Sequence, residues 1–115
     1  MDVLILHTVG ARSGDSRETP VAWFPDGDGD GDGSRLIVAS GSGSQHPDWF
    51  ANLMAHGDRA SIELPGRAAE PVTPRRLEGA DREQAWQVIA TAQPRIAKYQ
   101  SKSDRHYPVL RLTPR

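Results

Sequence analysis

Two short stretches of the chain carry the residue types that chemistry needs. Gly10-Ala-Arg-Ser-Gly14, followed by Arg17, sets two glycines beside a hydroxyl and two guanidinium groups. Glycines let a loop turn its backbone N–H groups outward, Ser13 adds a hydroxyl, and Arg12 and Arg17 add permanent charge. That combination makes an anion cradle, although a strand-to-strand turn uses Gly and Ser for geometry alone. It is not a P-loop, because the spacing differs and no Lys-Ser/Thr pair follows. The second stretch is Ala39-Ser-Gly-Ser-Gly-Ser-Gln-His-Pro-Asp-Trp49, a Gly-rich strand exit running into a helix start. Its amides suit an anion or an electron-rich ring edge; the alternative is a connector followed by a core tryptophan.

Other candidates are weaker. His7, His46, His56 and His106 are scattered without paired ligand spacing, so the expectation is no metal. The run Asp26-Gly-Asp-Gly-Asp-Gly-Asp-Gly33 has calcium-loop spacing at first glance. An EF-hand needs Glu at its twelfth position, and here that position is Ile37 or Ala39, so a self-repelling hairpin loop is expected. No Gly-x-Ser-x-Gly elbow marks a hydrolase. Tyr99, between Lys98 and Lys102, is either a ring-stacking or proton-donating phenol or ordinary amphipathic packing.

Short apolar runs must position these residues. Val3 to Leu6 reads as a buried strand, Pro20 to Phe24 as a second and Arg35 to Ser40 as a third. Pro47 opens a helix through about His56, with Trp49, Phe50, Leu53 and Met54 on one face and Gly57 as the stop. Ala60 to Leu64 is a strand, and Ala68 to Leu77 a strand interrupted by prolines. Ala80 to Ala92 is a second helix with Trp86, Ile89 and Ala90 inward, ended by Pro94. A short helical piece surrounds Ile96 to Gln100, and Val109 to Leu112 is the last strand. Few strands are joined by helical crossovers, so the sheet should be mostly antiparallel. The expectation is an α+β fold: a small closed or half-closed barrel of five or six strands, with two helices covering its ends.

Composition bounds the rest. The chain has 115 residues, enough for a single domain spanning 1–115. With no cysteine, disulfides, thiolate metal sites and a cysteine nucleophile are excluded. Net charge is −1, which gives no nucleic-acid footprint. The halves differ, with 7 basic and 12 acidic residues in 1–78 against 7 and 3 in 79–115, so the C-terminal third could face an acidic ligand. No apolar run approaches the ~20 residues of a membrane span, and no signal peptide is visible, so a cytoplasmic protein is expected. The first strand starts almost at Met1; either the domain begins there or a segment precedes it.

The ordered combination of these pieces resembles the deazaflavin-dependent nitroreductases. The opening Leu4-Ile-Leu-His-Thr-Val-Gly-Ala-Arg-Ser-Gly14, with Arg17 and Pro20, is similar to that family's Gly-Arg-Lys-Ser-Gly segment. Val38-Ala-Ser40 and His46-Pro-Asp-Trp-Phe-Ala-Asn-Leu53 follow its middle motif. Lys98-Tyr-Gln-Ser-Lys-Ser-Asp-Arg105 and Tyr107-Pro-Val109 follow its closing one. The resemblance covers nearly the whole chain. It implies a split β-barrel of the flavin-reductase, FMN-binding-like type that binds coenzyme F-420, a deazaflavin with a phosphate and a polyglutamate tail.

By position, Arg12 and Arg17 would hold the anionic tail, with Ser13 and Gly14 as backbone donors. Ser40 and Gly41 would lie by the phosphate or ring, His46, Pro47 and Trp49 beside the deazaflavin, and Tyr99 on the substrate side. The implied activity is hydride transfer from reduced F-420 to a quinone, nitroaromatic or activated enone. The alternatives are a non-catalytic F-420 carrier, or FMN in the same cradle. A homodimer is expected, since such barrels often pair through their sheets. Ala11 and Gly41 stand where the family carries basic residues, which would weaken cofactor affinity by roughly ten- to hundredfold without compensation.

Overall fold

The computed structural model describes residues 2–26, 33–40, 47–102 and 107–115. The Asp/Gly run over 27–32, Gly41, His46 and His106 lie outside them. The chain begins with a hairpin: β1 (Val3–Val9) pairs antiparallel with β2 (Ser16–Ala22), Val3 opposite Ala22 and Val9 opposite Ser16. β1 alternates as a one-sided strand should. Leu4, Leu6 and Thr8 point inward while Val3 is 44% exposed, so the apolar run Val3–Leu6 is buried on one face only.

β2 is longer than its apolar segment because it is an edge strand, and its first residues, Ser16 to Glu18, face solvent. Pro20 is tolerated there for the same reason. The second predicted strand divides at Trp23. The Trp23 N–H donates to the Asp2 carbonyl at 3.0 Å, continuing the β1 ladder, and Phe24 then opens β3 (Phe24–Pro25) on β4 (Arg35–Val38).

The remaining strands are β5 (Ser61–Glu63), β6 (Glu70–Arg76) and β7 (Val109–Pro114), and the seven-stranded order is β2-β1-β5-β6-β7-β4-β3. All pairings are antiparallel. The first and last strands of that order are separated in the chain by Trp23 alone, so the sheet must curl until its two ends meet. β6 is not interrupted by its prolines. The Val72 N–H reaches back to the Ala60 carbonyl, so the missing donor of Pro74, two residues on, falls on the same side, beyond the end of β5.

Among the described residues three α-helices accompany the sheet, the expected two and the short helical piece around Ile96 to Gln100, which is a full two turns long. α1 (Asp48–Ala55) starts after Pro47, and its Trp49, Phe50 and Leu53 join the barrel-interior cluster of Leu4, Leu6, Ile37, Ile62, Val72, Leu110 and Leu112. Met54 is 45% exposed, outside that face. α2 (Gly79–Ala92) and α3 (Pro94–Ser101) cover the outer side of β4 and β7, where Leu36, Val38 and Val109 meet Ala85 and Ile89. They therefore cover a face of the sheet, not its ends. Pro94 both stops α2 and opens α3, since a proline is tolerated in a first turn. The run Leu36-Ile-Val-Ala39 is continuously apolar because β4 is covered on both faces.

The barrel mouth at the start of β1 is filled by Arg35. Its guanidinium lies 5.0 Å from the Trp23 ring centroid and 3.4 Å from a Glu70 carboxylate oxygen. Trp23→Ala removes the half-buried ring at the seam and its cation–π partner, and should lower unfolding free energy by about 2–4 kcal/mol. Val3→Ala, on the exposed face of β1, should stay within about 0.5 kcal/mol. Urea unfolding of the two variants checks this, and equal midpoints would show that Trp23 does not hold the seam.

Candidate active site

The Gly10–Asp15 loop joins β1 to β2 and is shaped by its own hydrogen bonds. The Gly10 N–H donates to the Asp15 carbonyl at 2.8 Å, the Gly14 N–H to the Gly10 carbonyl at 3.0 Å, and the Asp15 N–H to Ser13 Oγ at 3.2 Å. Both glycines are steric requirements of that shape. A Cβ on Gly10 would crowd Ser13 Oγ, the atom that accepts the Asp15 N–H, and Gly14 has φ of +73°. The expected donors change accordingly. The Gly14 amide and the Ser13 hydroxyl are engaged within the loop, whereas the Arg12 and Ser13 N–H groups have no partner among the described residues.

The loop is tied to α1. Asn52 Oδ1 accepts the Ala11 N–H at 2.9 Å, and Asn52 Nδ2 donates to Thr8 Oγ1 at 3.3 Å. Loop and helix together border a cavity of about 670 Å³, lined by Arg12, Ser13, Arg17, Trp49 and Asn52 among others. Both arginine side chains are exposed and have no hydrogen bond or ion pair among the described residues. Two acids share the rim. Glu18 is turned toward His7, with 3.7 Å between Oε1 and Nδ1, and Asp48 stands in the first turn of α1. Arg12 and Arg17 thus share the cavity with Glu18 and Asp48, and among the described residues neither acid is paired with either guanidinium. Trp49, only 8% exposed, belongs to the core and also borders the cavity, so core packing and a place at the site hold together.

Of the residues the sequence singled out, the structure brings Arg12, Ser13, Arg17 and Trp49 to one cavity, with Gly14 in the same loop. Ser40 and Pro47 flank the 41–46 segment and do not line that cavity. Tyr99 is on α3, 61% exposed, and lies apart from it as well. α3 is instead linked to the exit of β4. The Tyr107 N–H donates to Gln100 Oε1 at 2.7 Å, and the next residue's carbonyl, Pro108, accepts the Ala39 N–H at 2.9 Å.

The sequence pattern does not single out Asn52, which holds the loop and lines the cavity. The available signal was a carboxamide set into the apolar face of Trp49, Phe50 and Leu53, where an unpaired polar group would be costly. A second cavity, of about 580 Å³, lies along α2 beside the Arg111–Asp26 ion pair (2.7 Å) and contains none of the predicted site residues.

The family described as F-420H(2)-dependent quinone reductase matches residues 1–114. An F-420H(2)-dependent quinone reductase of Mycobacterium tuberculosis is 34% identical over 114 residues, spanning 97% of this chain and 73% of that protein. A solved F-420-H2 dependent reductase (FDR-A) superposes with a TM-score of 0.79 at 34% identity, over 96% of this chain and 93% of that one. More distant split barrels share the fold alone, among them a Vibrio cholerae haem storage protein with a TM-score of 0.58 at 19% identity, over 99% of this chain and 82% of that one. The resemblance read from the motifs thus holds for the deazaflavin-dependent reductases, with the quinone reductases rather than the nitroreductases as the matching group. The chain belongs to the F-420H(2)-dependent quinone reductase family and is an oxidoreductase whose cofactor is coenzyme F-420.

Proposed function

We propose that Arg12, Arg17 and the Arg12 and Ser13 amides hold the phosphate and glutamate oxygens of coenzyme F-420. The observation that carries this reading is the donor set without partners among the described residues: two adjacent amides and two guanidinium groups, on residues that line a cavity that Trp49 borders. The donors are all cationic or N–H groups, as an anionic tail requires. The tail's backbone donors are then Arg12 and Ser13, not Ser13 and Gly14. Trp49 offers an apolar edge to the deazaflavin. The segment from Ser40 and Gly41 through His46 and Pro47 is assigned to the ring end, on the strength of the sequence motif. Tyr99 is assigned to the acceptor side, because α3 is linked to the β4 exit rather than to the Arg12 loop. A long cofactor with its anionic tail at one station and its ring at the other suits this division.

When bound in reduced form, the cofactor supplies a hydride to an electron-poor acceptor. The chain's residues then have three tasks: to anchor the tail, to hold the ring's edge against the Trp49 side of the barrel, and to leave the acceptor face open. Quinones are the principal acceptors, and nitroaromatics and activated enones fall within the same electron-poor class. Water supplies the accompanying proton, since the Tyr99 phenol is itself solvated.

Under anaerobic conditions the protein should oxidise reduced F-420 with menadione well above background. Binding without turnover across several acceptors would instead identify a carrier. In the same assay Tyr99→Phe should keep kcat within about threefold, whereas loss of an obligatory acid would cost ~100-fold or more.

Arg12→Ala and Arg17→Ala should each weaken F-420 binding by about 1.5–3 kcal/mol, with a smaller loss at high salt. Their melting temperatures should stay close to the parent's, because both side chains are exposed. Fluorescence titration with parallel thermal melts measures both quantities, and unchanged affinity in both variants would remove the cradle.

A structural relative at 34% identity is described as a domain-swapped dimer, and we propose that this chain also pairs with itself. Sedimentation at tens of micromolar should show a species of twice the 12.6 kDa chain mass. A clean monomer would refute the pairing.

A further inference from the structure

Asn52 is 8% exposed and Thr8 4%, and the Asn52 carboxamide accepts the Ala11 N–H through its oxygen and donates one N–H to Thr8 Oγ1. The orientation of the amide is fixed by its surroundings. Turned over, it would set Nδ2 against the Ala11 N–H, donor against donor, and leave Oδ1 facing a hydroxyl that would have to reverse its role. One side chain thus joins three elements. It grips the inward-facing Thr8 on β1, the second residue of the Gly10–Asp15 loop, and α1, where Trp49 precedes it by three positions, almost one turn. Thr8 is also the register partner of Arg17 on β2.

The loop's amides are divided by this contact. Those of Gly10, Gly14 and Asp15 are engaged inside the loop, and that of Ala11 is engaged by Asn52. The two N–H groups left for a ligand, on Arg12 and Ser13, follow Ala11 directly in the chain. Their direction is therefore set at one end by the Asn52 bond and at the other by the turn that closes at Gly14.

We propose that Asn52 is the positioning residue of the anion cradle. By holding the Ala11 N–H, it aims the Arg12–Ser13 amide pair and the Arg12 side chain at the cavity that Trp49 borders. Asn52 also lines that cavity, but the role assigned to it is its hold on the Ala11 N–H; a direct contact with the cofactor would instead give equal penalties in the two backgrounds of the cycle below. A side chain needed only for packing would be served by leucine, of similar size and without a polar group to bury. What the carboxamide adds is the fixed loop. The inference rests on the reading of the loop as the cofactor's anionic-tail site, and the test separates the two.

The experiment is a double-mutant cycle on the full chain with four proteins: parent, Asn52→Leu, Arg12→Ala and the pair. Each is titrated with oxidised F-420 by fluorescence and melted without cofactor. Asn52→Leu should weaken F-420 binding about tenfold, and by a smaller factor, about threefold, in the Arg12→Ala background, because the guanidinium is then gone and only the two backbone amides are left to be misaimed. Hydrogen exchange of the Ala11 amide, followed by NMR, should accelerate about tenfold or more in Asn52→Leu. A purely structural role would lower the melting temperature and leave the folded protein's affinity unchanged by Asn52→Leu in either background. That result, or equal penalties in the two backgrounds, would overturn the proposal. Failure of the tail-site reading would look different: Arg12→Ala itself would bind F-420 like the parent. If Asn52→Leu does not fold, Asn52→Ser, whose hydroxyl is too short to reach the Ala11 amide, takes its place in the same cycle with the same expected and overturning results.

Discussion

The architecture follows from a constraint at one residue. β2 and β3 lie at opposite ends of the strand order, yet only Trp23 separates them in the chain. A flat seven-stranded sheet would hold those ends far apart at ~4.8 Å per strand spacing, a distance one residue cannot cross. The sheet must close on itself, and Trp23 marks the seam, its N–H on the β1 ladder and the next residue on the β4 ladder. Closure creates an interior, and an interior has two mouths. Arg35, stacked on Trp23 and paired with Glu70, fills one; α1 seals the other with Trp49, Phe50 and Leu53.

The plug at the second mouth is also the wall of the site. α1 contributes Trp49 to the core and to the cavity at once, and Asn52, three residues on, binds the hairpin loop that carries the free arginines. A loop placed on a barrel rim would ordinarily be among the mobile parts of a protein. Here it is anchored to an element that cannot shift without opening the core.

Much of this was legible in the sequence, and the parts that were not have physical reasons. The β1 and β4 runs, the start of α1 at Pro47 and the loop between Gly10 and Gly14 announce themselves through apolar continuity and Gly/Pro punctuation. The first half of β2 does not, because an edge strand with one solvated face can be built from Ser-Arg-Glu-Thr. β6 looked interrupted because a proline is harmless where the neighbouring strand has already ended, a fact about register and not about composition. Met54 looked inward because Leu53 and Met54 are adjacent, and only the direction of α1 over the barrel decides which is buried. At the site, Arg12 and Ser13 could be picked by residue type. Which of the loop's amides are free depends on bonds from Asn52, 41 positions away from Ala11, and no local pattern encodes that.

The loop's glycines therefore serve its shape more than its chemistry. Gly10 makes room for Ser13 Oγ, Gly14 supplies a left-handed turn, and the Gly14 amide is used to close it. The donors that remain belong to Arg12 and Ser13. A loop braced by four such contacts has already lost most of the conformational freedom that binding would otherwise take from it, and a preorganised site binds more tightly for the same set of contacts. This bears on Ala11, the position at which the motif resemblance implies a basic residue. Its side chain brings no charge, but its backbone N–H is the point at which α1 fixes the loop. Whatever charge the position lacks, its N–H gives the loop a fixed point, and the side chain that holds it there is Asn52.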